Sequence, residues 1–216
     1  LGAAKREAEQ ANRHKSKFVA AAVHDLLQPL NAARVFASLL RQHVHSAEGL
    51  QLASNVEGAL NAQDDILNSL LDIARMESGQ LKVQPRDFAL QPLLASLGNH
   101  LGVLAQRHGL QLRVQSTRYT VHSDDALLRR VLQNFLSNAI RYTRQGRIVL
   151  GCRRHGQHLH IEVHDQGPGI PESLQQEIFE EFRRLETGRQ HERGAGLGLA
   201  IVERLGRLLQ HQIGLR

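Results

Sequence analysis

Apolar or small residues recur at alternating steps of four and three along the start of this chain: Val19, Val23, Leu26, Leu30, Ala33, Ala37, Leu40 and Val44. On a helix that alternation draws one continuous stripe, the heptad seam of a coiled coil. A second series, Leu52, Val56, Ala59, Gln63, Ile66, Leu70 and Ile73, keeps the alternation with one polar interruption. The connection His43 to Gly49 is short enough for an antiparallel hairpin. A two-helix hairpin has too little interior to stand alone. Pairing two hairpins buries both seams in a four-helix bundle, so the spacing predicts a homodimer. The competing arrangement packs the hairpin on the second half of its own chain.

The pattern changes near Gln80 to Pro85. Gly79 is a plausible helix cap, and Pro85 fits poorly in a continuing helix. Beyond it, helical patterns are expected over Leu90–Arg107, Asp124–Tyr142 (with Asp124 near the start), Glu172–Phe182 and Gly196–Leu209. Strand patterns are expected over Leu110–Gln115, and over Gly146–Arg154 and His158–Asp165 as a hairpin around His155-Gly156-Gln157. The expected class is α+β: an antiparallel hairpin forming a dimeric four-helix bundle, followed by an α/β sandwich of helices on one face of a mainly antiparallel sheet. The expected domains are residues 1–80 and 81–216.

Composition narrows the functional classes. No window approaches the roughly 18 apolar residues of a membrane span, and the polar start is unlike a secretory signal. The chain begins at Leu1, which reads as a fragment of something longer. The single cysteine, Cys152, excludes an intramolecular disulfide and fits a reducing compartment. The 13 histidines are scattered, without zinc-finger or HExxH spacing, which argues against a histidine metal site. A net charge of +6 suggests an anionic partner. Few aromatics and dispersed arginines argue against nucleic acid.

Four short segments carry candidate chemistry. His24 lies one residue past the seam position Val23, and Pro29 in mid-helix removes a hydrogen bond and predicts strain one turn away. A neutral imidazole is a good nucleophile near neutral pH. Asp25 could hold its other nitrogen, although adjacent helical residues point about 100° apart. Asn134 and Asn138 lie one helical turn apart; an amide oxygen is a hard, neutral ligand suited to phosphate-bound Mg²⁺. Arg141 and Tyr142 follow on or near that face. Asp165, Gly167 and Gly169 form a strand-ending turn that can approach a flat ligand closely, with a carboxylate to accept from an exocyclic amine such as adenine's. Gly194, Gly196 and Gly198 precede a helix whose amides and dipole favour an anion. Each segment alone has a bland reading as surface, cap or turn.

In this order and spacing, from about Lys15 onward, the segments resemble the catalytic core of bacterial two-component sensor histidine kinases. The resemblance places His24 on the phosphoacceptor of the H box and Asn134 and Asn138 on the N box. Asn138 falls on the Mg²⁺ ligand and Arg141 on a basic position near the phosphates. Asp165, Gly167 and Gly169 fall on the G1 box, where the aspartate reads adenine. Phe179 and Phe182 fall on the F box, Arg184 at the start of the ATP lid, and Gly194, Gly196 and Gly198 on the G2 box. It implies ATP-dependent autophosphorylation of His24 and transfer to an aspartate of a receiver domain, separate or fused. It further implies a cytoplasmic location, with the parent protein anchored in the inner membrane by an upstream segment. Two positions depart from the pattern: Gln28 stands where Thr or Asn is common, leaving receiver phosphatase activity dependent on an amide, and Glu181 replaces a frequent basic residue. The chain also stops at Arg216, before the last strand the resemblance leads one to expect. A non-catalytic scaffold and a nucleotide-domain ATPase are the competing readings; the intact boxes oppose the first, the hairpin with His24 the second.

Overall fold

The computed structural model describes residues 2–181, 183 and 196–215, with side chains from Ser16 onward apart from Lys17 and Asp65. It divides into two compact units, one built on Leu1–Lys82 and the other on Val83–Gly188 and Gly198–Arg216.

The first unit is a helical hairpin of α1 (Gly2–His43) and α2 (Ala47–Glu77). Ser46 caps α2 by accepting the Gly49 amide on Oγ. Pro29 lies inside α1, which runs through it unbroken. Val23, Leu30, Leu67 and Leu71 form the buried centre, with Val19, Leu27, Leu60 and Leu70 packed around it. Arg34 pairs with Asp64 and Arg41 with Glu57 along the edge. The expected seam is thus divided. On α1, Val23, Leu30 and Ala37 face inward, while Leu26 and Leu40 remain 55% and 61% exposed. On α2 the inward face is shifted by one residue, to Leu60, Leu67, Leu71 and Ala74, and Leu52 and Val56 stay exposed. One partner helix can cover only one side of an apolar stripe this wide.

The second unit contains β1 (Arg86–Ala89), α3 (Leu90–Arg107), β2 (Leu110–Val114), β3 (Thr120–Ser123), α4 (Asp125–Tyr142), β4 (Gly146–His155), β5 (His158–His164) and α5 (Gly198–Leu209). The larger sheet has the order β2-β4-β5, with β2 parallel and β5 antiparallel to β4. β1 and β3 form a separate antiparallel pair. Alternate residues Leu112, Val114, Ile148, Leu150, Ile161 and Val163 point to one face, where α3 and α4 supply Leu94, Leu97, Leu101, Leu132 and Leu136. Burying a leucine in full, as with Leu94 and Leu136, contributes about 1.5–3 kcal/mol. Asp124 caps α4 from Oδ1 and accepts the Gln84 amide on Oδ2.

The structure corrects one sequence expectation and adds two features. Strand pairing is mainly antiparallel, as expected, with one parallel pair where β4 returns alongside β2 after the β3–α4 excursion. The β1–β3 ribbon was not anticipated; its four-residue strands are too short to show a period-two pattern. Glu172–Phe182 is not one helix: Glu172–Leu174 and Glu177–Phe179 are single 3-10 turns, with extended backbone at Glu180. Only Ile178 in these turns is buried, too little apolar surface to hold a longer helix in place.

The chain after α5 is tied back through Gln210, with φ 56°, and His211, whose amide donates to the Gly206 carbonyl. The His211 Nε2 lies 3.0 Å from Oγ of buried Ser123. Burial pushes the His211 pKa below its ordinary 6.5. The unfolded chain therefore takes up this proton first as pH falls. The stability it contributes is complete above about pH 6.5 and is lost as pH drops through the lower folded value. Urea midpoints measured from about pH 7.5 to pH 5 should fall more steeply in the wild type than in His211→Gln. Parallel profiles would contradict this role.

Candidate active site

In the first unit, His24 follows a buried valine yet is open to solvent. Val23 is 4% exposed, whereas the His24 side chain is 66% exposed. A turn of about 100° per residue separates the two environments. Asp25 reaches its neighbour despite the angle between them: Oδ1 lies 3.4 Å from His24 Nδ1. This contact favours the tautomer with its proton on Nδ1 and leaves the Nε2 lone pair available to an electrophile. Gln28, one turn later, is also exposed.

In the second unit the predicted asparagines do converge. A Cβ placed on Gly198, the first residue of α5, would stand 3.0 Å from Asn134 Oδ1 and 3.8 Å from Asn138 Nδ2. The two α4 amides and the α5 start thus share one small space that a side chain would fill. Asn134 Nδ2 donates to the Arg130 carbonyl, fixing which end faces Gly198. Desolvation holds the Arg130 guanidinium below its ordinary pKa. Arg141 is half-buried in the last turn of α4, and Tyr142 is exposed.

The turn after β5 is tied to the end of α4. Asp165 Oδ1 accepts the Gly167 amide at 2.8 Å, and a Cβ on Gly167 would lie 3.4 Å from the Tyr142 carbonyl oxygen. Gly169 and Gly196 have φ of 72° and 70°, backbone that favours glycine. Phe182, Arg184 and Gly194 lie outside the described residues, as does most of the expected lid. Among the described residues, no three His, Cys, Asp or Glu side chains are placed to hold a metal ion.

Several residues escaped the sequence reading. Thr143, the C-cap of α4, is buried, and its Oγ1 has no hydrogen-bond partner among the described residues; such a group takes water or a ligand. Gly146 and Gln166 pack against each other beside the Asp165 turn. The available signal was a glycine opening a strand. The unusual Glu181 forms an ion pair with Arg204 of α5, and Arg183 pairs with Glu177 and Glu180. A cavity of about 450 Å³ between these turns and α5 contains Phe179, Glu181 and Arg204 but neither asparagine.

Comparison with known proteins identifies two domains in the chain. Residues 14–79 match the His Kinase A (phospho-acceptor) domain, and residues 123–216 match the histidine kinase-, DNA gyrase B- and HSP90-like ATPase. The chain belongs to the sensor histidine kinase family, of which these are the two catalytic-core domains. It is 31% identical over 226 residues to the autoinducer 2 sensor kinase/phosphatase LuxQ of Vibrio vulnificus, covering 99% of this chain and 26% of that protein. It is 35% identical over 204 residues to the sensor histidine kinase RcsC of Escherichia coli, covering 92% and 21%. The chain therefore spans about a quarter or less of these relatives. The structure of full-length ShkA in complex with AMPPNP superposes with a TM-score of 0.71 at 26% identity, covering 90% of this chain and 41% of that one. No helix among the described residues is long and apolar enough to cross a membrane.

The space at Gly198 can be tested by filling it. Gly198→Ala should leave the chain folded, with a cooperative melting transition. Its methyl group should displace the Asn134 amide and weaken ATP binding roughly tenfold, about 1.4 kcal/mol. Titration with a fluorescent ATP analogue beside a melting curve checks both; unchanged affinity would contradict the shared space.

Proposed function

We propose that this chain is the catalytic core of a two-component kinase that phosphorylates itself on His24 from ATP and passes the phosphoryl group to an aspartate of a receiver domain. The convergence of Asn134 and Asn138 on Gly198 carries the nucleotide part of this reading. In it, Asp165 accepts the adenine amine beside Gly167 and Gly169. The start of α5, with Gly194, Gly196 and Gly198 before or at it, faces the phosphates. Arg141 and Arg184 offset their charge.

The residues present fit Mg²⁺. Among the described residues the site offers a neutral amide, which suits an ion already neutralised by triphosphate oxygens. Asn138 turns Nδ2 toward Gly198, so Oδ1 is the atom left to hold the metal. Bound there, Mg²⁺ would supply charge neutralisation of the β- and γ-phosphates. His24 Nε2 attacks the γ-phosphorus in line while Asp25 keeps the proton on Nδ1, and ADP departs.

The exposed rows Leu26/Leu40 and Leu52/Val56 support a homodimer, since two hairpins can cover each other's uncovered side in a four-helix bundle. The receiver is separate or fused, as in a hybrid kinase. Gln28, exposed one turn beyond His24, could orient water for receiver dephosphorylation. A cytoplasmic core whose parent is anchored in the inner membrane by an upstream segment completes the reading.

His24→Gln should reduce acid-labile, base-stable labelling from γ-labelled ATP to background, with nucleotide affinity within about twofold of wild type. Asn138→Ala should weaken binding in Mg²⁺ far more than in chelator. Labelling that persists without His24, or equal losses with and without metal, would overturn the respective assignment.

A further inference from the structure

Between Asp165 and Gly167 stands Gln166, whose side chain is held by a different element. Its Oε1 accepts the amide of Arg147, at the start of β4, at 3.0 Å. The ladder that pairs Val149 with His164 would next bring Arg147 opposite Gln166, but β5 ends at His164 as the backbone leaves for the turn. The glutamine side chain therefore provides the acceptor that the departing main chain no longer offers. Gly146 makes room for it: a Cβ there would fall 2.2 Å from Gln166 Oε1, and its φ of 106° is backbone that only glycine adopts readily. An exposed hydrogen bond alone contributes little. Here it is combined with a fitted contact on one side. On the other, Asp165 Oδ1 takes the Gly167 amide, and Gly167 lies against the Tyr142 carbonyl.

We infer that Gln166 is a positioning residue that fixes the direction of the Asp165 carboxylate by anchoring the turn to Gly146 and Arg147 of β4. This rests on the nucleotide reading above, in which Asp165 accepts the amine of adenine. The turn has two anchors, the α4 end and the β4 start, and Gln166 supplies the second. Removing its oxygen leaves Asp165 present but free to rotate with its turn, so the property lost is discrimination at the base rather than phosphate binding.

The test compares ATP with ITP, which carries a carbonyl in place of the exocyclic amine, in the purified chain. Gln166→Leu keeps the bulk of the side chain and removes the acceptor; Gln166→Glu keeps an acceptor oxygen. The ATP-over-ITP affinity ratio should fall about fivefold in Gln166→Leu, the ratio set by one hydrogen bond, and stay within about twofold of wild type in Gln166→Glu. Both variants are compared as folded chains, verified by circular dichroism, so the ratio reports the turn and not the fold. An unchanged ratio in Gln166→Leu, or an equal fall in both variants, overturns the inference. A wild-type chain that binds neither nucleotide overturns the nucleotide reading itself.

Discussion

A helix in a two-helix hairpin can turn only one side toward its partner, and the apolar stripe of α1 is wider than that side. Val23, Leu30 and Ala37 are covered within the chain, while Leu26 and Leu40 are not. The helical turn that separates these two rows also decides the fate of the residue between them. His24 follows the inward Val23 and precedes the outward Leu26, so its imidazole emerges into water at the edge of the apolar face. The proposed nucleophile thus has a fixed backbone and an accessible ring. In the proposed dimer the same uncovered row that drives pairing holds the helix rigid beneath the histidine.

In the proposed nucleotide reading, the second unit surrounds an anionic ligand largely with neutral groups. Its described candidate groups are two amides, a helix start, a buried hydroxyl, the half-buried Arg141 and one carboxylate engaged with its own turn. Neutral dipoles already fixed by the fold need little reorganisation when a phosphate arrives. Close approach is secured by missing side chains: Gly198 against the asparagines, Gly167 against Tyr142 and Gly146 against Gln166. The departure at Glu181 becomes intelligible in the same unit, since the carboxylate ties the 3-10 turns to Arg204 of α5.

What could be read from the sequence followed the strength of local signals. Leu90–Arg107 was legible to the residue because its leucines repeat on one helical face, and Asp124 announced α4 through its capping chemistry. The β4–β5 hairpin was marked by Gly156 between alternating apolar residues. The ribbon of β1 and β3 was not legible, because each strand sends inward little more than Phe88 or Val121. The parallel pairing of β2 with β4 depends on distant packing that no local pattern encodes. On α2 the sequence offers two overlapping apolar rows, and only the fit to α1 selects Leu60, Leu67 and Leu71 over Leu52 and Val56. The asparagines were legible as a pair, whereas Gly198 as their counterpart required α5 in place.

In the proposed dimer the hairpin is half of a bundle, and solution mass tests that most directly. Multi-angle light scattering of the purified chain at micromolar concentration should give about 48 kDa, twice the 24.1 kDa of one copy. A mass near that of a single copy would contradict it, because the Leu26 and Leu40 row would then remain in water with no partner to cover it.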